Sequence, residues 1–378
     1  MTAIRRAFSL GATFAAALNG TMVMPLIVLA LTRVRGIDEA TATAVAAAEL
    51  AGIAIYSLLL PRAAQRARRA TALFGLLALG GGELASQVLD GVAALACARL
   101  VAGLGEGALF GLICANVAGE AQAERIWGQV NLVGGVAMGL LLYGLSLLPP
   151  SAERGPIFAW LAVLALLVAP AVLSLRARVV PPDQAHALAL RPAHKYGLWF
   201  IVALAYAVQA GQWAVTGYVG EIAKLPADHV GTWLALSSIL GFAGAVAPSL
   251  ARRPSQRLGF VLLGFAIMAL SLELFFNRLG DWPFFVGQVG VNVGFYMLTP
   301  FVIGMLTEND GDGSLVLRTL VVALFGSAAG TAVAGYVFEQ AGPGQFSGLC
   351  VALVLLCAVT AARVMPQIEG RAPARVPA

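Results

Sequence analysis

Charged residues are scarce in this chain. Aspartate, glutamate, lysine and arginine make up 11% of its 378 residues, whereas hydrophobic residues make up 60%. A soluble globular chain is about a quarter charged and about half apolar. Too little polar surface remains to cover a water-soluble molecule of this length. The composition therefore excludes an ordinary soluble fold and favours a membrane protein.

Cysteine, histidine and nucleotide-binding motifs are also scarce or missing. The four cysteines form no C-x-x-C pair, which argues against a disulfide framework or a zinc site. No Walker A sequence occurs, so ATP is not expected to drive this protein directly. No cluster of nucleophile and base is visible. We expect no enzymatic activity, cofactor, metal or nucleic-acid partner.

The apolar residues form blocks of about 20, the length with which a helix crosses a bilayer. We therefore predict an all-α membrane protein with twelve transmembrane helices, embedded in the lipid bilayer. The predicted spans are 8–31, 41–60, 71–90, 91–117, 126–148, 156–176, 196–220, 228–250, 257–276, 283–305, 315–339 and 343–364.

Basic residues give the orientation of these spans. With both termini inside, 17 of the 24 lysines and arginines lie on the inner side and five on the outer side. Positive loops stay in the cytoplasm. The bias predicts a multi-pass protein of a bacterial-type inner (plasma) membrane, with both termini cytoplasmic.

An internal repeat appears when the chain is shifted on itself by 191 residues. Gln65 and Arg66 then align with Gln256 and Arg257, each pair in the loop after the second span of its half. Several glycines align at the same offset, Gly20 with Gly211 among them. Repeated halves are typical of transporters. We predict a six-helix bundle at 1–176, a cytoplasmic central loop at 177–195 and a second six-helix bundle at 196–378.

Ionisable residues inside the spans are costly and usually functional. Arg99 and Glu106 lie seven residues apart in the fourth span, on one face but about 10 Å apart along the axis. Each needs a partner from elsewhere. Glu49 and Glu83 are predicted at the depth of Arg99, so that one of them forms a neutral pair with it. A buried carboxyl can carry a proton, and we predict Glu106, with Glu49 or Glu83, as the proton carrier; a static ion pair is the alternative.

The fourth span also carries a recognisable spacing, Arg99-x3-Gly103-x-Gly105-x-Gly107. It resembles the fourth-helix motif of the major facilitator superfamily, and the resemblance covers essentially the whole chain. The loop after the second span keeps Arg66 but has Gln65 in place of the family's aspartate. The resemblance implies that Gln65, Arg66, Gln256 and Arg257 take part in inner gating. An alternative is that these arginines only set topology.

The resemblance further implies a central cavity lined by spans one, four, seven and ten. Spans seven and ten each place polar and aromatic side chains along one face, which suits an amphipathic organic molecule. The predicted cavity residues are Asn19, Met22, Tyr206, Gln209, Trp213, Thr216, Gln288, Asn292, Tyr296 and Thr299. Glu221, Asp228 and His229 lie beside an outer loop and are expected to be solvated.

These features predict a monomeric secondary transporter that moves a small organic solute or metabolite by alternating access, coupled to protons. The fifth span lacks the proline of the family's drug–proton antiporters, which favours uptake over efflux. Proton-driven efflux of amphipathic compounds remains the first alternative. A transporter-shaped sensor, a lipid-handling protein and a membrane-embedded enzyme are alternatives from other classes.

Overall fold

The computed structural model is built from α-helices and two short 3₁₀ turns, and no strand occurs in the residues it describes. The predicted all-α fold class is confirmed. Thirteen residues of the predicted central loop, 177–189, lie outside the described part of the chain, as does residue 176 before them. The described residues are 3–60, 63–117, 123–147, 155–175, 190–251, 253–308 and 314–369.

Each of the twelve predicted spans corresponds to a helical segment. The first, α1, consists of three pieces, Ala3–Ala17, Asn19–Met22 and Met24–Arg33. The others are α2 (Glu39–Leu59), α3 (Arg68–Val88), α4 (Val92–Val117), α5 (Ala123–Ser146), α6 (Ile157–Ser174), α7 (Pro192–Ile222), α8 (Ala227–Gly241, continued to Leu250), α9 (Arg257–Asn277), α10 (Asp281–Glu308), α11 (314–341) and α12 (343–369).

Most helix boundaries shift by a few residues from the sequence prediction, and two of the shifts have a clear physical reason. Helix α7 begins at Pro192 rather than after Lys195, because proline fits the first turn of a helix, where its missing N–H is not needed. Helices α11 and α12 are continuous except at Gly342, whose φ of 76° breaks the helical path. Glycine accepts this left-handed conformation without steric cost.

The breaks in α1 follow from its sequence. Helical geometry is lost at Leu18 and Val23, and Pro25 opens the third piece. Proline has no N–H to donate to the carbonyl four residues earlier. The Thr21 carbonyl is therefore left for another donor, and the Trp213 indole N–H of α7 bonds to it at 3.0 Å.

Eight stretches in the described residues are long and apolar enough to cross a membrane. One of them, Arg318–Ile368, contains both α11 and α12. The interrupted α1 and the helices α3 and α5 do not meet this criterion. The remaining stretches are Glu39–Leu59, Val92–Val117, Ile157–Ser174, Pro192–Ile222, Asp228–Val246, Arg257–Asn277 and Asp281–Leu306.

Glycines bring the helices of the first half close to α4. A Cβ atom at Gly103 would overlap the Glu49 carbonyl oxygen of α2, and one at Gly105 would overlap the backbone of α3 at Leu79. Small residues permit this approach of helix backbones in membranes. The result is that α2 and α3 lie against opposite flanks of α4, with Glu49 and Glu83 turned towards it.

The two halves meet along three helix pairs, α1 with α7, α2 with α11 and α5 with α8. Gly217 of α7 accommodates the Leu29 side chain of α1, and Gly335 of α11 touches the Glu39 backbone of α2. Both contacts lie at the end of the molecule that the charge pattern assigns to the outside. Nearer the middle, Gly135 of α5 meets the Phe242 ring beside α8.

Gly103 and Gly81 allow a matched test of this packing. Alanine is favoured over glycine in helices by about 1 kcal/mol, so Gly81→Ala, whose methyl group would meet nothing within 4 Å, should leave the melting temperature unchanged or raise it. Gly103→Ala should lower stability by about 1–3 kcal/mol, the usual cost of overpacking. Thermal unfolding of the detergent-solubilised proteins measures both. Equal melting temperatures for the two variants would contradict the close contact between α2 and α4.

Candidate functional site

Arg99 lies at the centre of a cluster of ionisable side chains inside the first half. One terminal nitrogen, Nη1, bonds to Glu83 Oε2 of α3 at 2.6 Å. The other, Nη2, forms an ion pair with Glu49 Oε1 of α2. All three side chains are completely buried. The guanidinium therefore joins the two helices that flank α4.

An aromatic ring covers this ion pair. The Arg99 guanidinium carbon lies 5.1 Å from the centre of the Phe158 ring of α6, a cation–π contact. Arg35 lies 5.5 Å from the same ring and donates to the carbonyl oxygens of Ser86, Gln87 and Leu89 at the end of α3. Phe158 thus contacts both the buried arginine and an arginine at the outer end of the bundle.

Glu106 belongs to the same cluster without touching Arg99. Its Oε1 accepts a hydrogen bond of 3.1 Å from the Gly20 N–H in the short second piece of α1. Its Oε2 has no hydrogen-bond partner among the described residues, and the residue is 0% exposed. A Cβ atom at Gly20 would overlap the Glu49 carboxylate. Glu49 and Glu106 therefore approach the same glycine from two helices.

The geometry differs from the sequence expectation in one respect. A single carboxylate was expected beside Arg99, but Glu49 and Glu83 both bind it. Arg99 and Glu106 are separated along α4, as expected, and they bind different partners. A cluster of one arginine and three carboxyls results, and it contains more acidic than basic groups.

The second half carries amides where the first half carries charges. Gln212 Nε2 of α7 donates to Gln288 Oε1 of α10 at 2.6 Å. Gln209 Nε2 donates to Asn292 Oδ1 at 2.8 Å, and Asn292 Nδ2 donates to the Ser237 carbonyl of α8 at 3.2 Å. Two bonds between amides thus link α7 with α10.

Several atoms of these amides are buried without a hydrogen-bond partner in the described part of the structure. Gln209 Oε1, Gln212 Oε1 and Gln288 Nε2 have no hydrogen-bond partner among the described residues. Both amide atoms of the buried Asn19 in α1 are likewise without one. A buried polar group without a partner is costly. These atoms are neutral donors and acceptors, and they occur in both halves.

The other predicted cavity residues are two tyrosines, two threonines, Met22 and Trp213. Tyr206 and Tyr296 are half-buried and contact the rings of Phe295 and Phe242, respectively. Thr216 and Thr299 donate to carbonyl oxygens of their own helices, so their hydroxyl protons are already used. Met22 is half-buried in α1, whereas Trp213 is 9% exposed and contacts α1 through its indole N–H.

At the outer end, Glu221 is partly exposed, as expected, but it also forms an ion pair that the sequence did not indicate. Its Oε2 accepts bonds of 2.9 and 2.6 Å from Nε and Nη2 of Arg33, which joins α7 to α1. The hydrogen bond raises the pKa of Arg33, which is at the end of α1. Glu339 of α11 accepts from the Ala40 N–H of α2 at 3.3 Å. The polar contacts between the halves described so far thus lie at the outer end or near the middle.

The predicted gating residues lie at the opposite end. Arg66 and Gln256 are exposed, and Gln256 Oε1 accepts from the Arg253 N–H within its own loop at 3.1 Å. Arg257 is half-buried at the start of α9. The side chain of Gln65 lies outside the described part of the structure. The gating role of these four residues stays a prediction.

Three contacts at the site were not foreseen from the sequence. Gln212 is the central amide of α7, and its spacing from Gln209 and Thr216, three and four residues, could have indicated it. Gly20 binds a carboxylate through its backbone, which no side-chain pattern reveals. The Thr21 carbonyl is released by Pro25, a signal that was present in the sequence.

The comparisons with known proteins concern the fold. No family model and no curated protein matches the sequence. Among solved structures, the chain is similar to a variant of the nucleoside transporter NupG (12% identity, TM-score 0.74, covering 98% of this chain and 100% of that one). It is also similar to a D-xylose–proton symporter (15%, 0.73, covering 97% and 98%). The human organic anion transporter MFSD10 gives 15% identity and a TM-score of 0.67, covering 96% and 100%.

These similarities show that the chain has the major facilitator fold. The family resemblance noted in the sequence is thereby confirmed at the level of the fold. The chain is an integral, multi-pass membrane protein.

Removal of Arg99 tests the cluster. Arg99→Met leaves Glu49 and Glu83 buried without their cation, which should cost about 3–5 kcal/mol of stability. Adding Glu49→Gln and Glu83→Gln should restore most of that loss, because no unpaired charge then remains. Thermal unfolding in detergent measures the series, with the exposed Arg278→Met as the matched control. An Arg99→Met protein as stable as the control would contradict the ion-pair geometry.

Proposed function

We propose that this protein is a secondary transporter that moves a small organic solute or metabolite by alternating access, coupled to protons. The observation that carries the proposal is the fully buried cluster of Arg99, Glu49, Glu83 and Glu106 within a major facilitator fold. Charges inside a membrane protein are costly and usually serve ion or proton movement.

The amides of α7 and α10 support the assignment of the solute site. They are neutral and lie in the other half. Some of their donor and acceptor atoms have no hydrogen-bond partner among the described residues. Such a set suits a solute with several hydroxyl, carbonyl or amide groups. The neighbours named above transport a nucleoside, D-xylose or organic anions according to their descriptions. Polar metabolites of this size are therefore the first solutes to test.

The contacts between the halves support alternating access. Arg33 with Glu221 and Glu339 with the Ala40 N–H join the halves at the proposed outer end. Together with Trp213 on Thr21, they join the halves from that end down to the middle, which supports a closed outer end. We propose that this arrangement is the state in which the solute site faces the cytoplasm, in a monomer with both termini cytoplasmic.

Glu106→Gln tests proton coupling. The amide keeps the bond from Gly20 but cannot release a proton, so uptake driven by an inward proton gradient should fall at least tenfold while exchange of solute across equal pH persists. Proteoliposomes with a trapped pH dye and labelled uridine, D-xylose or a dipeptide measure both. Glu273→Gln, at an exposed carboxyl of α9, is the control. Unaltered proton-driven uptake in Glu106→Gln would remove this residue from the mechanism.

Glu221→Gln tests the outer closure. An exposed ion pair contributes about 0.2–1 kcal/mol, so its loss should raise the population of outward-open molecules by up to about fivefold. Distances between spin labels on the outer ends of α1 and α7 report that population. The exposed Asp228→Asn provides the comparison. If both variants give the distance distribution of the wild type, the Arg33–Glu221 pair does not hold the outer end closed.

A further inference from the structure

The buried cluster of the first half contains three carboxyls and one guanidinium, which do not balance. Fully ionised, Arg99, Glu49, Glu83 and Glu106 would carry a net charge of −2 with every side chain 0% exposed. A charge of this size in a low-dielectric interior is neutralised by proton binding rather than retained. The proposed function requires only one carboxyl that binds and releases a proton. The net charge of this cluster requires more than one bound proton.

The contacts show which carboxyl lacks a cation. Arg99 uses Nη1 for Glu83 and Nη2 for Glu49, and neither nitrogen contacts Glu106. Glu106 is held by the Gly20 N–H alone, and its second oxygen has no partner among the described residues. One N–H dipole does not compensate a buried negative charge, so Glu106 holds a proton in this state.

Protonation of Glu106 leaves one excess negative charge. Glu49 and Glu83 then face the single positive charge of Arg99, so a second proton neutralises the cluster. Because both carboxylates touch the same guanidinium, that proton belongs to the pair and not to either residue alone. Glu49 and Glu106 both contact Gly20. The Glu106 carboxyl therefore lies beside the pair formed by Glu49 and Glu83.

The surrounding helices supply no further compensation in the described residues. The α1 residue that contacts Glu106 is Gly20, whose chain neighbours Asn19 and Thr21 are neutral, and α6 places the Phe158 ring on Arg99. Arg35 lies on the same ring, but its nitrogens bond to carbonyl oxygens at the end of α3. The α7 residue that contacts α1 beside Gly20 is the neutral Trp213, which bonds to the Thr21 carbonyl.

We infer that the sealed cluster stores two protons, one on Glu106 and one shared by Glu49 and Glu83. The inference rests on the proposed function for its meaning. If the cluster opens to water on one side of the membrane and closes on the other, each cycle can move two protons with the solute. Two protons double the free energy that a given proton gradient contributes to solute accumulation.

Infrared spectroscopy of the purified protein tests this without a solute. Protonated carboxyl groups give a C=O stretch that shifts in heavy water, and at neutral pH only buried acids contribute. Normalised to the amide band, the wild-type signal should equal two carboxylic acids per chain. A signal of none, one or three would overturn the inference. This measurement needs no variant, so it stands even if a substituted protein fails to fold.

Substitutions then assign the two protons. Glu106→Gln should halve the band and Glu83→Gln should also halve it, because Glu49 then pairs alone with Arg99. Glu106→Gln combined with Glu83→Gln should abolish it, and Glu273→Gln should leave it unchanged. Complete loss in Glu106→Gln alone would reduce the store to one proton and contradict the inference. This experiment measures no flux. A missing band would therefore contradict the two stored protons without contradicting solute transport. A failure to detect transport would not affect the interpretation of a band from two acids.

Discussion

Arg99 is the charge on which the first half of this protein depends. An arginine stays protonated in a protein interior, so its charge must be matched within the bundle. Glu49 and Glu83 provide that match from two different helices, and the glycines of α4 allow those helices to come close enough. The spacing of Arg99, Gly103 and Gly105 thus has one physical purpose. Arg99 supplies the charge, and the two glycines leave room for the helices that carry its partners.

The two halves share a fold but divide the chemistry. The residues 191 positions after Arg99 and Glu106 are Gly290 and Met297, so the second half has no copy of the charge cluster. Its α7 and α10 instead pair neutral amides. In the proposed transporter, protons bind in one bundle and the solute is held chiefly by the other. Work done at one site must then pass across the contact between the bundles.

The sequence predicted the helices, their number and the depth of the buried charges, because long apolar blocks and the cost of ions in hydrocarbon are local properties. The sequence did not reveal which partners these charges take. That Arg99 binds two carboxylates depends on the rotation of α2 and α3 about α4, and Gly20 binds Glu106 through a backbone group common to all residues. The pairing of Arg33 with Glu221 depends on how the bundles meet, so a loop position alone suggested only solvent.

The interruption of α1 has a mechanical consequence. Gly20 bonds to Glu106, while its neighbour Thr21 accepts the indole of Trp213 from the opposite bundle. These two consecutive residues belong to a four-residue piece of helix that is flanked by breaks at Leu18 and Val23. One of them contacts the acid and the next contacts the opposite bundle. An intact helix would spread any displacement along its whole length. Here, a movement of the Glu106 carboxyl would instead move the Trp213 indole through a short helical segment with a break at either end.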